Sequence, residues 1–234
     1  MLSGAATASP QVWVQQFGTN ATESAYAATI DGSGGVFVGG STNGQLGAAN
    51  AGGYDAWLER RDGAGNRMWM IQFGTPGFDT LLAAASDGSG GAFVTGEAAG
   101  NLGGTYFGSL DAYVARYDAS GAALWARQLG SSASDYPTGA ASDGQGGVLI
   151  SGATFGSLAG VGAGFRDAWL ARYDASGSLG WVRQLGTNGT DIASAVASDP
   201  LGGAFRLRKH NRKLGRVQLR LRGRMDCAIQ LVGN

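Results

Sequence analysis

The sequence predicts an all-β fold: an open, incomplete β-propeller built from four-stranded antiparallel blades. Three observations predict it. One phrase is written four times at a constant step of 56 residues, as WVQQFGT (13–19), WMIQFGT (69–75), WARQLGS (125–131) and WVRQLGT (181–187). Each repeat divides into four apolar runs of five to eight residues. Turn residues, chiefly Gly and Asp, bound every run, which is the pattern of strands joined by hairpins.

The elements follow in order. Residues 1–11 are an N-terminal stub. A lone outer strand is expected at 12–17, then blades at about 24–73, 80–129 and 136–185, then the start of another at 192–205. Within a blade, SAYAATI (24–30) alternates and ends at a Gly-rich turn, and GVFVGG (35–40) follows. A long loop leads to DAWLERR (55–61), and the turn DGAGN (62–66) leads into MWMIQF (68–73). The Ala-rich first run suits the innermost strand, where blades converge and room is scarce. A single blade cannot bury both faces, so neighbours stack and the recurrent Trp and Phe fill the space between them. Trp69, Trp125 and Trp181 are therefore expected at equivalent buried positions.

Other landmarks keep the same step: Glu23, Asp79, Asp135 and Asp191; Asp31, Asp87, Asp143 and Asp199; Asp55, Asp111 and Asp167; Leu46, Leu102 and Leu158. The turns DGSGG and DGAGN offer one carboxylate each, whereas calcium takes six to eight oxygens. Hairpin chemistry, with Asp bonding the backbone two residues on, is the better account of them. The acids of the Glu23 series could form a ring on one face, but strict periodicity suits a turn or strand cap better than a single reaction centre. No catalytic residue, cofactor or metal ligand is assigned.

The formal net charge of zero hides a boundary near residue 205. Residues 1–205 carry 8 Arg, no Lys and 16 acidic residues, or −8; residues 206–234 carry 9 Lys or Arg and one Asp, or +8. The single His (His210) and single Cys (Cys227) also lie in that segment. Chemistry in the first 205 residues would have to run without His, Cys or Lys. The basic segment could be read as a nucleic-acid arm. The preferred reading is a shifted frame, in which case no nucleic-acid partner is expected. Reading one nucleotide late from codon 206, with permitted codons, returns a repeat-like sequence with Leu in place of Leu214, Asp in place of Gly223 and Trp in place of Met225. These fall 56 residues after Leu158, Asp167 and Trp169, and the Trp is forced by the code. A segment of that origin is expected to be disordered, or at best an irregular strand or helix with few contacts to the blades.

YDASGAALWARQLG (117–130), DGSGGVFVGGST (31–42) and DAWLARYD (167–174) together resemble the SBBP family of bacterial β-propeller repeats, over residues 11–205. The resemblance implies a non-catalytic structural or binding module of a larger secreted or cell-surface protein. Its alternative is a fragment of a propeller enzyme, lyase or quinoprotein-like, whose reaction centre lies in other blades. ARYDASGAALW (115–125) is also similar to the tryptophan-docking motif of quinoprotein dehydrogenases, a structural device between blades. No run of 18 apolar residues is present, so no membrane span is expected, and residues 1–11 lack the charged and apolar regions of a signal peptide.

The most plausible binding surface is the set of loops between second and third strands, 41–54, 97–110 and 153–166. They carry Tyr54, Tyr106, Phe107, Phe155 and Phe165, which differ between repeats. Unlike residues in a regular frame are where specificity for a protein or glycan ligand would sit. The alternative is that Leu46, Leu102 and Leu158 simply pin these loops as packing, and the sequence leaves both readings open.

Overall fold

The computed structural model describes residues 12–160, 162–198, 204–209 and 218–220. The stub 1–11, Asp199 and the positions 210, 214, 223, 225 and 227 lie outside them. Among the described residues there is no helix, and so none long and apolar enough to cross a membrane.

Three four-stranded antiparallel sheets follow one another along the chain. The first holds β1 (Glu23–Ile30), β2 (Val36–Thr42), β3 (Asp55–Arg61) and β4 (Arg67–Phe73). The second holds β5 (Ala83–Ser86), β6 (Ala92–Ala98), β7 (Asp111–Tyr117) and β8 (Ala123–Leu129). The third holds β9 (Asp135–Ser142), β10 (Val148–Thr154), β11 (Asp167–Tyr173) and β12 (Leu179–Leu185). In each sheet the strands lie side by side in chain order. The first strands of successive sheets pack together, β1 on β5, β5 on β9 and β9 on β13 (Asp191–Ala197).

Period-two alternation explains the stacking. Val94, Tyr113, Ala115 and Tyr117 of the second sheet face the first, where they meet Phe37 and Leu58. Phe93 and Val114, one residue out of step, face the third sheet and meet Val148, Ile150, Trp169 and Tyr173. The middle sheet is thus buried on both faces, and every residue of β6 is inside.

The structure corrects two expectations. Residues 12–17 join no sheet among the described residues; the segment is held by side chains, Phe17 lying edge-on to Trp57 at 5.5 Å. Trp69, Trp125 and Trp181 are equivalent but half-buried, because they lie on the outermost strands; the fully enclosed aromatics are Trp57, Tyr113 and Trp169 on the third strands, with Phe37 and Phe93 on the second. Pairing also continues past residue 205: β13 pairs with β14 (Ala204–Lys209), which pairs with β15 (Gln218–Arg220). This ladder is slipped. Ile30 faces Val36, Ser86 faces Ala92 and Ser142 faces Val148, all in the 56-residue register, but Ala204 faces Ala197 where the repeat requires position 198. A slip of one residue exchanges the two faces of a strand.

Candidate binding face and its scaffold

Three repeated polar devices hold the sheets and loops. In the first, Asp31 accepts hydrogen bonds from the amides of Ser33 and Gly35, both at 2.8 Å, and pairs with Arg60 at 2.8 Å. Asp87 pairs with Arg116 at 2.8 Å and Asp143 with Arg172 at 2.6 Å in the same way. Burial opposes the charge of Asp31, but the Ser33 hydroxyl, Arg60 and the turn amides outweigh it and hold the carboxyl far below its ordinary range. These aspartates close hairpins, as the turn chemistry requires.

The second device caps the link between sheets. Asp79 accepts from the Thr75 amide at 2.6 Å, Asp135 from Ser131 at 2.7 Å and Asp191 from Thr187 at 2.7 Å. Asp79 and Asp135 are fully buried, and so form no exposed acidic ring. Burial raises the pKa of Asp79, and the neighbouring charge of Asp55 adds to the effect.

The third device answers why Gln recurs in the repeated phrase. Gln72 Nε2 donates to Gly44 O at 2.9 Å and Asp55 Oδ2 at 2.8 Å, while its Oε1 accepts from the Leu46 amide at 2.8 Å. Gln128 and Gln184 repeat all three bonds to Gly100, Asp111 and Leu102, and to Gly156, Asp167 and Leu158. Each long loop is therefore clamped at its start by a glutamine from the outermost strand. Leu102 and Leu158 also pack on the two cores, which supports the packing role for those residues. The loop ends are fixed to the inter-sheet links, with the amides of Asp79, Asp135 and Asp191 donating to the carbonyls of Tyr54, Leu110 and Arg166, each at 2.7 Å.

Rigid ends leave the loop residues to differ. Tyr54 is half-buried against Phe78, with ring centroids 5.5 Å apart. Tyr106 and Phe107 stand exposed in the second loop, and the Tyr106 hydroxyl donates to Ser109 O. Phe155 and Phe165 meet at 5.1 Å, nearly perpendicular. The five aromatics thus do not converge on one pocket; only Phe155 and Phe165 touch. Two residues that were not singled out from the sequence complete their cluster. Tyr136 packs edge-on against Phe155 at 5.6 Å, and the Arg166 guanidinium lies 4.3 Å from the Phe155 ring centre. The signal was available in the repeat, because position 166 aligns with Tyr54 and Leu110, and Arg occurs there once.

Among the described residues, no group of three or more His, Cys, Asp or Glu side chains is arranged to hold a metal ion. Compared with known families and characterised proteins, the chain matches no family model and no curated sequence.

Proposed function

We propose that this chain is a non-catalytic β-propeller repeat module whose second-to-third-strand loops bind a protein or glycan ligand, in the setting of a larger secreted or cell-surface bacterial protein. The propeller reading rests on the open four-stranded sheets stacked face to face, with their Ala-rich first strands side by side. The binding reading rests on a single contrast. The scaffold bonds repeat almost atom for atom, whereas the residues they present on the loops do not. Phe165 is 70% exposed and Phe107 50% exposed, where the corresponding first-loop positions are Gly53 and Ala51. Exposed aromatics on loops with clamped ends can stack on a sugar ring or fill a partner's pocket with little entropy lost on binding.

The test is a panel of polysaccharides and peptides, with binding measured by calorimetry for the native chain and for a variant carrying Phe107→Ser, Phe155→Ser and Phe165→Ser. Binding that the triple variant loses supports the loop face. Binding that survives in the variant places the ligand elsewhere.

A further inference from the structure

We propose that Arg166, with Phe155, Phe165 and Tyr136, forms a carboxylate-reading subsite for a uronate residue of an acidic polysaccharide. The inference rests on the loop-binding reading and specifies its ligand.

Arg166 differs from the arginines of the scaffold. Arg60, Arg116 and Arg172 are each tied to a buried aspartate. Among the described residues Arg166 has no carboxylate partner, and its Nε is buried without a hydrogen-bond acceptor. The residue is half-buried, and among the described residues its terminal nitrogens make no hydrogen bond. The guanidinium is held in place by rings, 4.3 Å from the centre of Phe155 and 5.4 Å from that of Tyr136. A planar cation fixed by stacking loses little freedom when it pairs, and its fork matches a carboxylate with two parallel bonds.

The aromatic component selects what carries the carboxylate. Phe165 is 70% exposed and stands edge-on to Phe155, so a ligand paired to Arg166 would lie along an apolar ring. A uronate sugar presents a carboxylate beside a C–H-rich ring face, and so can meet both groups at once. A simple anion satisfies only the arginine, and a neutral sugar only the phenyl ring. An acidic peptide offers the charge on a flexible stem and would have to lose side-chain entropy to use the ring.

The experiment is calorimetry of the full chain with oligogalacturonate, its methyl ester, a neutral oligosaccharide of equal length and an oligoglutamate peptide. The uronate should bind, and the ester, the neutral sugar and the peptide should bind roughly tenfold or more weakly, as expected for loss of one charge-assisted bidentate pair or of its ring platform. Arg166→Lys keeps the charge without the fork and should lose about tenfold, and Phe165→Ala should weaken uronate binding as well. Arg183→Gln, a change at a cation on β12, should leave binding unchanged. Equal binding of the ester, or an unaltered Arg166→Lys variant that melts like the native chain, overturns the subsite. Equal binding of oligoglutamate overturns the sugar assignment. Neutral-sugar binding that needs Phe165 but not Arg166 leaves the loop-binding face standing and removes only this inference.

Discussion

The indole nitrogen of Trp69 donates to the carbonyl oxygen of Ala119, 50 residues along the chain and in the next sheet, at 2.9 Å. Trp125 makes the same bond to Ala175 at 3.0 Å. Each Trp lies over a glycine of the DASG turn that it reaches, Trp69 over Gly121 and Trp125 over Gly177. Trp13 lies likewise over Gly65, which explains why the repeated phrase is present at 13–19 although that segment pairs with no strand. The bond lies outside the cores and ties one sheet's outer strand to its neighbour's outer hairpin.

Trp69→Leu removes this hydrogen bond, the stacking on the turn and the contact with Phe37, whose ring centre is 5.8 Å away. The expected loss of stability is about 2–4 kcal/mol, in the range of large-to-small changes at packed sites. Urea denaturation would measure it, and an unchanged midpoint would show that the sheets are held by their cores alone.

Gly121→Ala tests the other half of the contact. Gly121 holds φ at 86°, and an added methyl would lie 3.0 Å from the Trp69 ring. Gly88 has a similar φ of 74° but has no atom within 4 Å of such a methyl. Gly88→Ala should cost about 1 kcal/mol of backbone strain. Gly121→Ala should cost more, with the excess reporting the crowding of the indole. Equal losses in the two variants would mean that the indole shifts without consequence.

The hairpins, the turn aspartates and the 56-residue register were legible in the sequence because each depends on local chemistry. An Asp at the start of DGSGG or DGQGG has turn amides directly within reach, so Asp31, Asp87 and Asp143 were readable as turn residues. The depth of each Trp was not legible. Alternation places Trp57 and Trp69 on their strands, but only the order of strands in the sheet makes one central and the other marginal. The Arg166 cluster was hidden for a related reason. It joins Tyr136 at the start of β9 to Phe155 and Arg166 at the two ends of a loop, and no spacing along the chain foretells that meeting. What the sequence did show was the break in symmetry at these positions. Comparing the repeats column by column would have singled out Arg166, and also Ala98, which stands where Thr42 and Thr154 occupy the other sheets. Asp135 has the hydroxyl of Thr154 as a partner, while Asp79, opposite Ala98, keeps a buried oxygen without one.

Gln128→Ala should loosen one loop without unfolding the sheet that carries it. The substitution removes the donor to Gly100 O and Asp111 Oδ2 and the acceptor of the Leu102 amide. Hydrogen exchange at Leu102 should accelerate by roughly tenfold or more if about 1–2 kcal/mol of local bonding is lost. Exchange on β6 and β7 should change much less. Uniform acceleration across the second sheet would instead mean that the glutamine supports the whole sheet.

Glu97 gives the chain a pH dependence of definite sign. It occupies the place of Ser41 and Ala153, is 8% exposed, and burial pushes its pKa from the ordinary 4.5 up to about 7. Between those values the folded state holds a proton that the unfolded state has released. Stability must therefore fall as pH rises through that window, and the loss is complete above about pH 7. At about 1.4 kcal/mol per unit the ceiling is roughly 3 kcal/mol. Burial also raises the pKa of Asp79, Asp111 and Asp135, so part of the slope in the native chain belongs to them. Burial likewise opposes the charge on Asp87, but its turn amides and Arg116 outweigh it and lower its pKa, so its contribution is lost only in more acidic solution. Glu97→Gln isolates the Glu97 contribution, because the amide keeps the shape and cannot ionise. Urea midpoints at pH 5 and pH 8 should converge in the variant relative to the native chain, mainly through a gain at pH 8. If both proteins show the same difference between the two pH values, Glu97 ionises as readily in the folded chain as in the unfolded one, and the slope has another source.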